Sequence, residues 1–123
     1  IARSILRGQN IEIGRMIQML RQFGETEANE TGTSMTWMSM VAEEDQMPGM
    51  ASEAELDLLA SSDGREADEL FTELMIEHHE GGIEMAEFAA ANAENDEVIK
   101  MATSMAEAQR GEIIEMVNEL DLD

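Results

Sequence analysis

The sequence predicts an all-α protein, a four-helix bundle built from two repeated helical hairpins. Apolar residues recur at helical spacing in three long segments, and the first of these segments repeats the last. The chain has a single proline, only 3% aromatic residues and no long β-branched runs, which also favours helices. With 43% hydrophobic residues, the 123-residue chain can form the core of one domain.

The repeat has a spacing of one hundred residues. Seven identities fall within 19 positions without a gap: Ala2, Ser4, Gln9, Glu12, Ile13, Met16 and Leu20 recur as Ala102, Ser104, Gln109, Glu112, Ile113, Met116 and Leu120. Such a repeat indicates that one supersecondary unit is used twice. The long helix predicted over 65–91 should then have a copy upstream of residue 1, so we expect the first long helix of the bundle to be missing from this chain.

Residues 1–24 are predicted to be the end of the first repeat. A helix is expected from Ile1 to about Phe23, with Gly24 as a typical helix stop. Several apolar residues lie on one side of this helix: Ile5, Ile13, Met16, Ile17 and Leu20.

Residues 25–62 are predicted to connect the two repeats. The expected parts are a polar loop (25–34), a segment of one or two helical turns (35–46), a turn (47–50) and a short helix that ends at Ala60. Ser52 and Glu55 have the spacing of a capping box, which would begin that short helix.

Residues 63–123 are predicted to be the hairpin of the second repeat, which completes a single domain over 1–123. The expected helices are 65–91, with Asp63 as a possible cap, and 96–120, with acidic residues in its first turn. Because only four residues separate them, these helices should pack antiparallel.

The composition excludes several classes of function. The formal net charge is −21, so no basic face is available to neutralise nucleic-acid phosphates or to bind anionic lipid. The chain has no cysteine, which excludes disulfides and thiol catalysis. No apolar stretch reaches 18 residues, so no membrane-spanning segment is expected.

Both histidines lie together in the predicted helix 65–91. One apolar face of that helix collects Phe71, Leu74, Met75, His78, Gly82 and Met85. We therefore expect His78 to point into the bundle and His79 to lie at the edge of the same stripe. Two compatible roles follow: a buried imidazole that hydrogen-bonds to Gln109 or Glu112, or a metal ligand.

Two glycines follow the histidines directly. Gly81 and Gly82 each cost about 1 kcal/mol in a helix relative to alanine, so a compensating contact is expected. Either a neighbouring helix approaches closely here, or a ligand or ion gains access to the histidines. We expect the helix to continue unbroken through both.

The residues around the histidines favour a soft metal ion. A di-iron carboxylate site would need Glu-x-x-His, but Met75 stands three residues before His78. Thioether and imidazole together prefer copper, above all Cu(I), so the candidate ligands are Met75, His78, His79 and Met85.

A second methionine cluster supplies weaker candidates: Met35, Met38, Met40, Met47 and Met50. These side chains could instead close the end of the bundle together with Trp37 and Val41. Methionine is also a common filler of helical cores, so composition alone favours packing.

These motifs resemble the family named domain of unknown function 305. The resemblance covers nearly the whole chain except 24–45, and it is carried by the following segments: Met47-Pro48-Gly49-Met50, Phe71-x-x-x-Met75-Ile76-x-His78-His79-x-Gly81, Ile83-x-Met85-Ala86, Gln109-x-x-Glu112-Ile113-x-x-Met116 and the repeat copy Gln9-x-x-Glu12-Ile13-x-x-Met16. It implies a ferritin-like bundle. It also implies export from the cytoplasm, to the periplasm, the cell envelope or the medium, and copper binding, since some family members rich in Met and His are linked to copper tolerance. The chain departs from the family at Gly82, where a small apolar residue is usual.

The motifs and the resemblance together favour a non-catalytic protein that binds or stores copper or another soft metal. The resemblance further implies that it acts outside the cytoplasm. The main alternative is an interaction module whose Met-rich face binds a partner helix or an apolar ligand. A metal-dependent enzyme is least favoured, because no base or nucleophile is poised for chemistry. A homodimer remains a possible assembly.

Overall fold

The computed structural model describes residues 1–26, 33–34, 36–38, 42–43 and 47–121. It contains the helices α1 (Ala2–Phe23), α2 (Glu53–Ser61), α3 (Gly64–Asn92) and α4 (Asp96–Asp121), a 3₁₀ helix (Thr36–Met38), and the two-residue strands β1 (Thr33–Ser34) and β2 (Ala42–Glu43). The strands pair antiparallel, with Thr33 opposite Glu43. The all-α prediction is confirmed, since the four α-helices form the framework of the molecule.

Most helix ends follow the signals in the sequence. Gly24 adopts a left-handed conformation at φ 78° and donates its N–H to the carbonyl of Arg21, which ends α1. Ser52 and Glu55 form the predicted capping box at the start of α2. Asp63 occupies the N-cap position of α3, but its side chain makes no capping hydrogen bond.

The sequence predicts one or two turns of helix in segment 35–46. The described part of this segment contains one turn, the 3₁₀ helix, and also the strand β2, which the sequence did not predict. Two strands of two residues each can pair only if their chain segments approach closely. No periodic pattern in the sequence predicts such an approach.

The core lies where α3 packs against α4. The two helices run antiparallel, because His79 contacts Glu112 while Gly82, further along α3, lies beside Gln109. Small side chains allow this approach, since Ala86, Ala102 and Ala106 are all buried.

Helix α1 also lies antiparallel to α4, because Gly8 is close to Glu112 whereas Met19 and Met101 share a surface hollow. Much of its apolar surface is exposed; the largest such side chains are Leu6, Ile11, Ile13, Met16 and Phe23. The three long helices α1, α3 and α4 therefore enclose a space that stays partly open on the side of α1.

Candidate functional site

His79 is the fully buried polar side chain of the hairpin, with an exposed fraction of 0%. Its Nδ1 lies 2.8 Å from the carbonyl oxygen of Met75, which can only accept, so Nδ1–H donates. Its Nε2 lies 2.5 Å from Oε2 of Glu112, so the second ring nitrogen is also hydrogen-bonded. The prediction that Gln109 or Glu112 contacts the histidine pair is confirmed by Glu112.

The prediction that His78 is the buried histidine is wrong. His78 is exposed and His79 is buried, with their ring centroids 6.0 Å apart. Neighbouring residues of a helix point about 100° apart, so an apolar stripe does not fix which edge of it faces α4. Packing against α4 decides the rotation, and it places His79 inward.

The two histidines therefore have different chemical capacities. Both ring nitrogens of His79 are engaged in hydrogen bonds, which leaves no lone pair of this ring available for a metal in this arrangement. His78 instead lines the space between the helices. Desolvation there, and next the charge of His79, lower the pKa of His78, which favours the neutral ring that can ligate metals.

Glu12 extends the polar cluster onto α1. Desolvation, and next the charge of Glu112, raise the pKa of Glu12 above its ordinary value, and the charges of His79 and Arg15 oppose this effect. The repeat thus brings its two equivalent carboxylates, Glu12 and Glu112, close together beside a single imidazole.

We expect Glu12→Gln to raise the free energy of unfolding at pH 7 by about 0.5–1 kcal/mol. Because the folded state raises the pKa of Glu12, the carboxylate destabilises the fold when it is ionised, and this penalty is relieved as the pH falls. The gain should therefore shrink when urea denaturation is repeated below the ordinary pKa of 4.5. Glu115→Gln, at an exposed position of α4, is the matched control and should change stability less.

A cavity of about 520 Å³ lies between α1, α3 and α4. Six methionines line it, and every long helix contributes at least one: Met16, Met19, Met47, Met85, Met101 and Met105. The polar lining residues are Gln9, Glu12, His78 and Gln109, while Trp37 packs edge-to-face on Phe88 at a centroid distance of 5.4 Å. Thioether sulfur is therefore the most frequent kind of metal-donor atom in the wall of this cavity.

The register of the helices orders the lining side chains along the bundle. Gly82 lies beside Gln109, and Gly8 lies beside Glu112, so the polar residues collect at one end. Continuing the same antiparallel registers brings Met16, Met85 and Met105 to one level, with each long helix providing one sulfur.

Within the part of the chain that the structure describes, one buried side-chain oxygen of the cavity wall has no hydrogen-bond partner, Oε1 of Gln109. A buried unsatisfied oxygen costs about 1–3 kcal/mol, so a bound group that interacts with this oxygen would be stabilised here.

The two glycines of α3 serve different contacts, and α3 runs through both without a break, as predicted. A Cβ on Gly81 would overlap the backbone of Pro48, with the carbonyl carbon only 2.7 Å away. A Cβ on Gly82 would instead meet the flexible side chain of Gln109. Gly81 thus lets the turn at 47–50 dock on α3, which brings Met47 to the cavity.

The structure divides the predicted ligands into three groups. His78, Met47 and Met85 line the cavity, whereas Met38, Met50, Met75 and His79 are not among its lining residues. Met35 and Met40 lie outside the described residues.

Four lining methionines were not predicted as ligands: Met16, Met19, Met101 and Met105. Their only signal is a spacing of three in α1 and four in α4, which is also the spacing of ordinary core residues.

No three His, Asp or Glu side chains of 1–26 and 47–120 form a group that could hold a metal ion. None of the described helices is long and apolar enough to cross a membrane.

The profile of the domain of unknown function DUF305 matches residues 1–120. The solved structures that are similar to this chain include two crystal structures of DUF305 proteins. A DUF305 protein from Streptomyces coelicolor, described by name as a secreted protein, is 33% identical over 98% of this chain and 70% of its own, with a TM-score of 0.85. A DUF305 fragment from Deinococcus radiodurans is 30% identical over 99% of this chain and 74% of its own, with a TM-score of 0.80. A comparison with curated proteins finds no significant match.

Proposed function

This chain belongs to the DUF305 family, and we propose that it is a non-catalytic protein that binds copper as Cu(I) in its methionine-lined cavity. The observation that carries the proposal is the donor set: six thioethers and one imidazole line a single space, where Oε1 of Gln109 has no hydrogen-bond partner among the described residues. Thioether sulfur is a soft ligand that selects Cu(I) over Mg²⁺, Ca²⁺ or Mn²⁺, which prefer oxygen.

The side chains best placed to hold the ion are Met16, Met85 and Met105. They come from three different helices and share one level of the bundle. His78 would add an imidazole from the polar end of the cavity, and Met47, in the turn that packs on α3, would add a further thioether.

Charge and composition support a role outside the cytoplasm. A net charge of −21 raises the local concentration of cations around the protein. Methionine ligates soft metals without forming disulfides, and the chain contains no cysteine. The similar Streptomyces protein is described as secreted, which agrees with a copper-binding or storage protein acting beyond the membrane.

The proposal is tested by anaerobic competition with a chromophoric Cu(I) chelator. The double variant Met85→Leu/Met105→Leu keeps the apolar volume but removes two sulfurs, and it should lose at least about tenfold in affinity, or ~1.4 kcal/mol. His78→Ala should weaken binding less. Trp37, the only tryptophan, lines the same cavity, so its fluorescence should respond to the ion.

Met50→Leu is the matched control, because Met50 is exposed and lies outside the cavity. Its affinity should equal that of the unchanged protein. Equal affinity of the folded double variant would contradict the proposal, as would the absence of stoichiometric Cu(I) binding.

A second candidate function is binding of an apolar ligand or a partner helix. It is favoured by the open, mostly apolar wall of the cavity and by the adaptability of methionine side chains. If this alternative holds, an apolar fluorescent probe should bind in the cavity, and adding Cu(I) should not change the affinity of the probe.

A further inference from the structure

A surface hollow lies between α1 and α4, next to the methionine-lined cavity. Its volume is about 510 Å³, and most of its lining side chains are polar: Arg15, Gln18, Gln22, Glu97, Lys100 and Ser104. Among the described residues, only Met19 and Met101 line both the hollow and the cavity. These two side chains therefore form the partition between the surface hollow and the interior of the bundle.

The partition joins two helices that pack loosely. Met19 belongs to α1 and Met101 to α4, and α1 packs less closely on α4 than α3 does. Both side chains are half-buried, as expected when one side of each faces the hollow and the other faces the cavity. Methionine is unbranched and changes its rotamer easily, so the partition can open without a shift of either helix.

The two sulfurs continue the thioethers of the proposed copper site towards the surface. Met19 follows Met16 by three residues, and Met101 precedes Met105 by four. These spacings place the members of each pair on the same side of a helix, with a rise of about 4.5–6 Å between them. An ion that leaves Met16 and Met105 thus has a further soft ligand on each of the two helices.

We propose that Met19 and Met101 form an exchange site at which Cu(I) passes between the surface hollow and the cavity. The inference rests on the proposed copper function and names the route by which the cavity is filled and emptied. The ion exchanges one thioether for the next and remains Cu(I), so no electron or proton is transferred. Met16, Met85 and Met105 hold the ion at rest, whereas Met19 and Met101 contact it only in transit.

The side chains at the two openings favour the hollow as the route. On the open side of the cavity stand the apolar side chains of Ile13 and Met16, which are 48% and 40% exposed. The hollow instead offers amides, a hydroxyl and charges of both signs. Its ion pair between Lys100 and Glu97 spans 3.5 Å with both side chains 74% exposed, so it is weak and leaves these groups available. A hydrophilic complex that carries Cu(I) therefore loses less hydration at the hollow than at the apolar opening.

The exchange site is tested by measuring the rate of Cu(I) release separately from the affinity. Protein loaded with Cu(I) is mixed anaerobically with an excess of a chromophoric Cu(I) chelator, and transfer is followed by stopped-flow absorbance. The double variant Met19→Leu/Met101→Leu keeps the apolar volume and should release Cu(I) at least about tenfold more slowly. Its equilibrium affinity should stay within about twofold, because groups that contact the ion only in transit change binding and release by the same factor.

Met50→Leu is the matched control, because Met50 is exposed and lines neither the cavity nor the hollow. It should change neither the release rate nor the affinity. The single variants Met19→Leu and Met101→Leu should each slow release by a smaller factor than the double variant, and they supply the measurement if the double variant does not fold. Circular dichroism checks the fold of every variant.

Two results would overturn the inference and leave the copper proposal intact. An unchanged release rate in the folded leucine variants would mean that the ion passes through the open side of the cavity. A loss of about tenfold in equilibrium affinity would mean that Met19 and Met101 hold the bound ion. The copper proposal is judged on the unchanged protein, and if that protein binds no Cu(I), both proposals fail.

Discussion

Replacing His79 by leucine should lower the free energy of unfolding by about 3 kcal/mol. The substitution keeps a side chain of similar size but removes the imidazole that lies 2.5 Å from Glu112. Glu112 then remains partly buried, with its side chain 25% exposed, and close to the carboxylate of Glu12. An uncompensated carboxylate in this position costs more than the lost hydrogen bond alone.

The adjacent histidine is the control for this prediction. His78→Leu removes an exposed ring that makes no hydrogen bond to another described helix, so stability should change by about 0.5 kcal/mol or less. The double variant His79→Leu/Glu112→Leu removes both polar partners and should regain most of the loss. Urea denaturation of all four proteins measures these terms. A small loss in His79→Leu, or no recovery in the double variant, would show that the pair does not hold the hairpin together.

Gly81→Ala should destabilise the protein by about 1–2 kcal/mol, although alanine is the better helix former. The added Cβ would lie 2.7 Å from the carbonyl carbon of Pro48 and 3.1 Å from Cα of Gly49. These are backbone atoms of a turn in which Gly49 has φ 82°, so the turn cannot yield by rotating a side chain. The substitution should displace the turn and Met47 with it.

At the neighbouring position, Gly82→Ala should instead increase the stability of the protein. The atoms nearest to the added Cβ all belong to the end of the Gln109 side chain, which is flexible. The helix-propensity gain of up to about 1 kcal/mol should then be largely retained. Thermal melts of Gly81→Ala and Gly82→Ala measure the two changes in stability. If both glycines respond alike, the close approach of the turn is not the reason for Gly81.

The segments whose structure depends on residues a few positions away in the sequence were predictable from the sequence alone. The end of α1 at Gly24, the capping box of Ser52 and Glu55, and the unbroken course of α3 through its glycines follow from local hydrogen bonding and steric preferences. The contact of Glu112 with the histidine pair was also predictable, because polar residues on two facing apolar stripes must satisfy each other.

The tertiary structure alone decided which histidine is buried and which methionines share a cavity. The periodicity of α3 defines an arc of the helix, but its packing on α4 sets the rotation that turns His79 inward and His78 towards the cavity. Met75 matched a ligand motif through its spacing from His78, yet the cavity is lined by Met85, Met105 and Met16 from three separate helices. Spacing along one helix is local information, whereas a site between helices depends on register and rotation, which are fixed only when the helices pack.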